Sequence, residues 1–312
     1  VKCVFFGSPE FAVASLEALL ASEHQVLGVV TQPDRPAGRG MKLEPPAVKK
    51  LALQHNLPIL QPEKVNCEET YAFLERLQPE ILVVVAYGGF LGKKLLSWGQ
   101  FPPVNVHPSL LPDLRGAAPM QWSVVRGYRD TGVTTQFMVK EMDAGDVLLQ
   151  VPATIGPDET SKELQDRLKV VGGELLVKTL KGLADGSVKP RPQDGSKATF
   201  APLLTKEQGL ARFASESAET IHNQVRGLYP WPGAYTFHQG KRVKLLRSKL
   251  STEPSRGEPG SFWFSGDRLF VACRTGALEL LEVQPEGKRA VLPREFENGI
   301  NNLPHKFDPE TP

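Results

Sequence analysis

Val4-Phe5-Phe6-Gly7-Ser8-Pro9-Glu10-Phe11-Ala12 opens the chain with three apolar residues, a glycine turn and an amphipathic pattern that continues to residue 20. A buried strand that meets a tight turn and then a helix is the first half of a β-α-β unit. Outward from it, short β-branched or aromatic runs recur at residues 26–31, 58–60, 81–85 and 104–107, with helical patterns between them. That alternation predicts an α/β fold with a mostly parallel sheet and crossover helices. Residues 7–12 stand where a dinucleotide fingerprint would lie but lack its second and third glycines, which disfavours a nicotinamide dehydrogenase.

Further on, residues 134–139 and 147–153 alternate around the turn Met142-Asp143-Ala144-Gly145-Asp146, as an antiparallel pair added to the sheet would. Thr160 and Glu163 have the spacing of a capping box ahead of a long helix running towards residue 183. Residues 186–196 are rich in proline, glycine and polar side chains, the composition of an interdomain linker. Beyond it lie one amphipathic stretch, 218–225, and several short strand-like runs broken by Gly240, Gly266 and Gly276, which predict a small β-barrel. The expected division is a Rossmann-like catalytic domain at 1–188, a linker at 189–204 and an OB-like barrel at 205–312.

Composition narrows the class. The 312 residues are 40% hydrophobic and 23% charged, ordinary for a globular chain of two domains, and no apolar run approaches the length of a membrane span. The start has one charge and a short apolar run that meets glycine at once, so it reads as the first strand of a cytoplasmic protein rather than a signal peptide. Cys3, Cys67 and Cys273 are too scattered for a disulfide framework or a metal site, so no metal is expected. Net charge is only +2, yet residues 238–256 hold Lys241, Arg242, Lys244, Arg247, Lys249 and Arg256 against the single acid Glu253. Such a cluster fits either a solvated strand face or a nucleic-acid footprint.

The chemistry concentrates in Asn105-Val106-His107-Pro108-Ser109-Leu110-Leu111-Pro112. A strand ends at His107, because Pro108 cannot supply the next ladder hydrogen bond, so Asn105 and His107 share one face. The carboxyl ends of strands in open α/β sheets are where ligands bind, and there an amide and an imidazole would project together. By itself the pair could equally be two hydrogen-bonded residues closing a strand. The segment continues, however, as Arg115-Gly116-Ala117-Ala118-Pro119, and the later turn supplies Asp143-Ala144-Gly145-Asp146.

With residues 7–12, 31–40, 84–88, 109–119 and Tyr229-Pro230-Trp231-Pro232-Gly233-Ala234, these pieces make the chain resemble the folate-dependent formyltransferases over nearly its whole length. The closest resemblance is to the branch that acts on methionyl initiator tRNA. It departs locally, with Asp113-Leu114 where the family usually has a basic and an aromatic residue, and Gly92 where proline is common. The resemblance implies that Asn105, His107 and Asp143 are the catalytic trio and that Ser109, Leu110, Leu111 and Pro112 bind the folate. Tyr87 and Gly88, at another strand end, would offer backbone groups to the pterin edge. Asn105 and His107 would donate to the oxyanion formed when an amine attacks a formamide carbon, with Asp143 orienting His107 and helping to move protons.

The implied donor is 10-formyltetrahydrofolate and the implied partner is methionyl initiator tRNA, with no obligate protein partner. A basic loop carrying Arg35, Arg39 and Lys42 would enter the acceptor stem, with Arg39 central. Lys241, Arg242, Lys244 and Lys249 would line the tRNA on the barrel, with Lys206 and Arg226 as outlying contacts, and Phe11 would help to form the methionyl pocket. Two rival readings remain: a sugar-amine formyltransferase sharing the two-domain plan, and a non-catalytic tRNA-binding protein. The Arg39 loop argues against the first, and the Asn105, His107 and Asp143 set against the second.

Overall fold

A computed structural model describes residues 1–37, 42–300 and 303–308 and divides the chain into two compact units. The first comprises 1–116, 130–154 and 165–201, and the second comprises 117–129, 155–164 and 202–312. The elements run β1 (Lys2–Gly7), α1 (Glu10–Leu20), β2 (Gln25–Val30), β3 (Arg35–Ala37), β4 (Lys42–Glu44), α2 (Ala47–Gln54), β5 (Ile59–Leu60), α3 (Glu68–Leu77), β6 (Ile81–Val85), α4 (Lys93–Leu96) and β7 (Val104–His107). They continue as α5 (Pro119–Val125), β8 (Asp130–Phe137), β9 (Val147–Thr154), α6 (Ser161–Ala184), α7 (Ala218–Gly227), β10 (Ala234–His238), β11 (Lys241–Leu250), β12 (Phe262–Ser265), β13 (Arg268–Ala272), β14 (Ala277–Pro285) and α8 (Pro293–Gly299). Among the described residues, no helix is long and apolar enough to cross a membrane.

The first unit is built on a seven-stranded sheet in the order β5-β2-β1-β6-β7-β8-β9. The first five strands are parallel, and β8 and β9 are the antiparallel pair expected from the alternation at 134–153. The central strands β1 and β6 are apolar on both sides because helices cover both faces, as parallel sheets require. One face packs Val4, Phe6, Leu82 and Val84 against Phe73 and Leu74 of α3. On α6, a Cβ at Gly173 would lie 2.8 Å from the Ala14 carbonyl of α1, so glycine is what lets these two helices approach. From β1 the chain winds first towards β2 and β5 and then, through β6, to the other side, so the carboxyl ends of β1 and β6 flank the topological switch point and that of β7 lies next to β6.

The second unit contains an antiparallel sheet in the order β10-β11-β14-β13-β12. Its two edge strands are joined by the chain end: Phe262 N–H donates to the His305 carbonyl at 2.9 Å, and Asp308 N–H donates to the Phe237 carbonyl at 2.8 Å. This closure removes both free edges and gives the expected barrel, over a core that includes Phe213, Val243, Leu269, Leu280 and Phe307. Ile221 and Val225 of α7 enter the same core, while Ala118, Leu204 and Leu228 form a smaller cluster beside α5.

The capping box is formed as its spacing predicts. Thr160 N–H and Oγ1–H both reach the Glu163 carboxylate, at 2.9 and 2.8 Å, and Glu163 N–H donates back to Thr160 Oγ1 at 3.2 Å. Glu163 also accepts from Arg247 at 2.8 Å. The Thr160 bonds first, and then Arg247, pull the Glu163 carboxyl from its ordinary 4.5 to about 2. A carboxyl depressed in the folded state adds stability above its unfolded value and loses it as the pH falls through its folded value. The wild-type protein should therefore hold a stability advantage over Glu163→Gln above pH 4.5 that shrinks between pH 4.5 and about 2. Thermal melts of both proteins across that window measure it, and a pH-independent difference would contradict the assignment.

Candidate active site

Asn105 and His107 stand on β7 at the carboxyl edge of the first unit's sheet, side by side on one face as the strand period requires. His107 is buried, and its Nε2 lies 3.0 Å from the Leu114 carbonyl. A carbonyl only accepts, so Nε2 carries a proton and Nδ1 is turned towards Asp143 Oδ1 at 3.6 Å. Asn105 donates through Nδ2 to the Val84 carbonyl at 3.0 Å and accepts at Oδ1 from Gln136 Nε2 at 3.4 Å. One N–H of its amide is therefore without an acceptor among the described residues. The Nε2–H of His107 is spent on the Leu114 carbonyl, and Nδ1 of the neutral ring has a lone pair and no proton to give, so Asn105 holds the N–H that is ready for an incoming oxygen.

Asp143 reaches this pair from the turn between β8 and β9, in left-handed backbone conformation with φ +51°. Its Oδ2 accepts from Gly116 N–H at 2.9 Å and its Oδ1 from Gln136 Nε2 at 3.0 Å, so both oxygens are fixed. Two residues on, a Cβ at Gly145 would run into the Phe137 carbonyl, so the turn closes only with glycine there. Gln136 and Gln193, which hold this turn, escape a reading of the sequence. Gln136 lies inside a strand pattern, and Gln193 lies in the stretch whose composition marks a linker. Within the first unit, residues 191–201 are instead pinned by the paired Val147 and Arg191 bonds, by Gln193 on the Asp143 and Gly145 carbonyls, and by Ala201 N–H on the Arg115 carbonyl.

Ser109 to Pro112 follow β7 as a segment tied to the neighbouring strands. Thr134 Oγ1 donates to the Ser109 carbonyl at 2.6 Å and accepts Leu111 N–H at 3.1 Å, while Gln150 Nε2 donates to the Leu111 carbonyl at 2.9 Å. Leu111 is buried, whereas Leu110 and Pro112 are half-exposed. Tyr87 needs a correction: its ring lies in the core, edge-on to Phe6, and burial pushes its hydroxyl up to about 12. The Tyr87 carbonyl is taken by Ser8 Oγ and Gln32 Nε2, which leaves Gly88, with φ +80° and open space around its α-carbon, as the accessible member of that turn. Phe11 is also enclosed by the chain, at 4% exposure.

Among the basic residues, Arg226 must be withdrawn from any nucleic-acid surface. It is 7% exposed, and its guanidinium is held by Asn223 Oδ1 and by the Gly156 and Glu159 carbonyls. The amphipathic pattern of α7 put a cation where the fold needed a buried donor. Lys206, Lys241 and Lys249 are exposed, and Lys244 is half-exposed. Arg242 lies over the Tyr235 ring at 3.9 Å, and Tyr235 and Phe237 pair with Lys244 and Arg242 across β10 and β11, so aromatic and basic side chains interleave on one strand face. In the first unit, Arg35 on β3 is exposed and 3.9 Å from Glu63, and Asp34 at the foot of this hairpin is held by Lys49 and Gln61 at 2.7 Å each. Arg39 lies outside the described residues, as does the side chain of Lys42, whose backbone pairs with Ala37.

Two family models match the chain, one described as formyl transferase over residues 1–180 and one as formyl transferase, C-terminal domain, over residues 203–301. A curated methionyl-tRNA formyltransferase of Caldanaerobacter subterraneus is 44% identical over 302 residues, spanning 96% of this chain and 97% of that protein. Its counterpart in Acidobacterium capsulatum is 46% identical over 306 residues, spanning 97% and 98%. The crystal structure of an N-formyltransferase from Helicobacter canadensis, in complex with folinic acid and dTDP-3-aminofucose, superposes with a TM-score of 0.66 at 16% identity. That match covers 91% of this chain and 98% of the other, and establishes likeness of fold. Gly145→Ala should lower stability by about 1–3 kcal/mol through the clash at the Phe137 carbonyl. Urea denaturation measures this, and an unchanged midpoint would show that the Asp143 turn can yield.

Proposed function

We propose a residue-level reaction for this chain, which belongs to the formyl transferase family: it moves the formyl group of 10-formyltetrahydrofolate onto the free amino group of methionyl initiator tRNA. The observation that carries the reading is the convergence of a free Asn105 N–H with the His107 and Asp143 pair at the carboxyl edge of the sheet. A bond forms from the amine nitrogen to the formyl carbon, and the carbonyl electron pair moves onto oxygen. That pair returns as the carbon–N10 bond breaks, the amine gives up a proton and N10 takes one. Asn105 supplies a hydrogen bond to the oxyanion. His107, aligned by Asp143, carries the proton between the two nitrogens.

Direct transfer suits the two buried thiols, because burial pushes Cys3 and Cys273 up to about 12 and keeps them from acting as thiolate nucleophiles. The formyl donor is a substrate, bound by the segment Ser109, Leu110, Leu111 and Pro112 together with Gly88. The fit rests on a backbone segment held still by Thr134 and Gln150 and on the open side of Gly88. For tRNA, Arg39 with Arg35 and Lys42 reads the acceptor end, and Lys241, Arg242, Lys244 and Lys249, with Lys206, follow the phosphates from the barrel. The reaction places the protein with translation initiation in the cytoplasm.

Asn105→Ala should lose about 2.7–4 kcal/mol of transition-state stabilisation in methionyl-tRNA formylation, as an oxyanion donor is worth, and His107→Ala and Asp143→Ala should lower kcat roughly 10²- to 10⁴-fold, as positioned proton transfer is worth. A folded variant with wild-type kcat would remove that residue from the mechanism. Neutralising Lys241, Arg242, Lys244 and Lys249 together should weaken tRNA binding and flatten its salt dependence by roughly 0.7–0.9 in log–log slope per lost phosphate contact, with folate affinity unchanged. Charge removal is a cleaner test than truncation at 204, because α5 and the turn before α6 pack within the second unit. An unaltered slope would make these strands a solvated face.

A further inference from the structure

The reaction scheme makes no use of the groups that hold the Asp143 turn and Asn105 from behind. Arg115, 5% exposed, donates to Gln193 Oε1 from Nε at 3.2 Å and from Nη2 at 2.8 Å. Gln193 Nε2 reaches Gln136 Oε1 at 3.3 Å and the carbonyls of Asp143 and Gly145 at 2.8 and 2.6 Å. Gln136, 1% exposed, donates from Nε2 to both Asp143 Oδ1 and Asn105 Oδ1.

The direction of this series is forced. A guanidinium only donates, so Gln193 must turn its oxygen to Arg115 and its NH2 towards carbonyls, which only accept. The Asp143 carboxylate only accepts and so turns the Gln136 nitrogen towards itself, which leaves the Gln136 oxygen facing the Gln193 NH2, whose two hydrogens are shared between that oxygen and the two nearer carbonyls. Asn105 receives that N–H on its oxygen and keeps both of its own N–H groups as donors, one on Val84 and one with no acceptor among the described residues. Burial strengthens each bond, and bonds in series polarise one another in the same sense.

We infer that Arg115, Gln193 and Gln136 form a positioning relay: without touching substrate, they lock the Asn105 amide in its donor orientation towards the formyl oxygen and hold Asp143 Oδ1 beside His107. The inference rests on Asn105 being the oxyanion donor. If that assignment is right and the relay is wrong, Asn105→Ala loses activity and the relay variants do not.

The test is steady-state formylation of methionyl-tRNA across pH 5.5–9 by Gln136→Leu, Gln136→Glu, Gln193→Leu and Asn105→Ala, with thermal melts of each protein. Gln136→Leu should lose about 10- to 100-fold in kcat with KM for both substrates little changed, the signature of misplaced chemistry rather than lost binding. In Gln136→Glu, an ionised side chain cannot donate to Asn105 and repels Asp143, whereas a protonated one donates as glutamine does. Its kcat relative to wild type should therefore rise as the pH falls, which a merely structural role would not produce. In the Asn105→Ala background, Gln136→Leu should cost less than it does alone. If Gln136→Leu does not fold, Gln193→Leu, at a half-buried position, carries the same kcat test. Wild-type kcat in a folded relay variant, a pH-independent Gln136→Glu ratio or additive losses would each overturn the relay. Wild-type activity in Asn105→Ala would overturn the underlying assignment instead.

Discussion

The structure of the site depends on one anchored carboxylate. Asp143 sits in a left-handed turn that an L-residue adopts only under constraint, and its two oxygens and its carbonyl are each held by a separate donor from Gly116, Gln136 and Gln193. Those donors come from three parts of the chain: the loop after β7, the strand β8 and the segment beyond α6. With all three in place, the carboxylate lies 3.6 Å from His107 Nδ1. The strand pairing contributes too, because β8 runs antiparallel beside β7 and sets Gln136 directly opposite Asn105, from where Gln136 also donates to Asp143.

A division of labour follows between rigid and accessible parts. The first unit buries Arg115, Gln136 and His107, half-buries Asn105, Asp143 and Gln193, and leaves one Asn105 N–H without an acceptor among the described residues beside a pinned backbone segment. The second unit presents aromatic and basic side chains on a strand face whose backbone is closed into a barrel by residues 303–308, a surface that can meet a polyanion without offering a free sheet edge.

Much of this was legible in the sequence where a physical signal is local. The strand at 81–85 stands out because a sheet covered on both faces demands an uninterrupted apolar run, the one at 104–107 because two valines precede the proline that ends it, and the Thr160 capping box because its partners lie three residues apart. Side-chain networks over long separations left no such mark. Gln193 sits among prolines and glycines and carries no periodicity, yet it contacts Asp143; Arg226 has the spacing of a surface cation on an amphipathic helix, yet it is buried on backbone carbonyls. Closure of the barrel was likewise invisible, because residues 303–308 pair with two strands that lie far back in the chain. The trio itself was legible only through resemblance, since Asn-x-His alone serves equally well to end a strand.

The most direct test offers the wild-type protein 10-formyltetrahydrofolate together with methionine-labelled methionyl initiator tRNA and an amino-sugar nucleotide in the same reaction. After the ester is hydrolysed, the products are separated by chromatography. Labelled formylmethionine formed in proportion to enzyme, with the amino sugar unmodified, is the predicted result. A formylated sugar, or no formylmethionine from folded protein at saturating donor, would contradict the account.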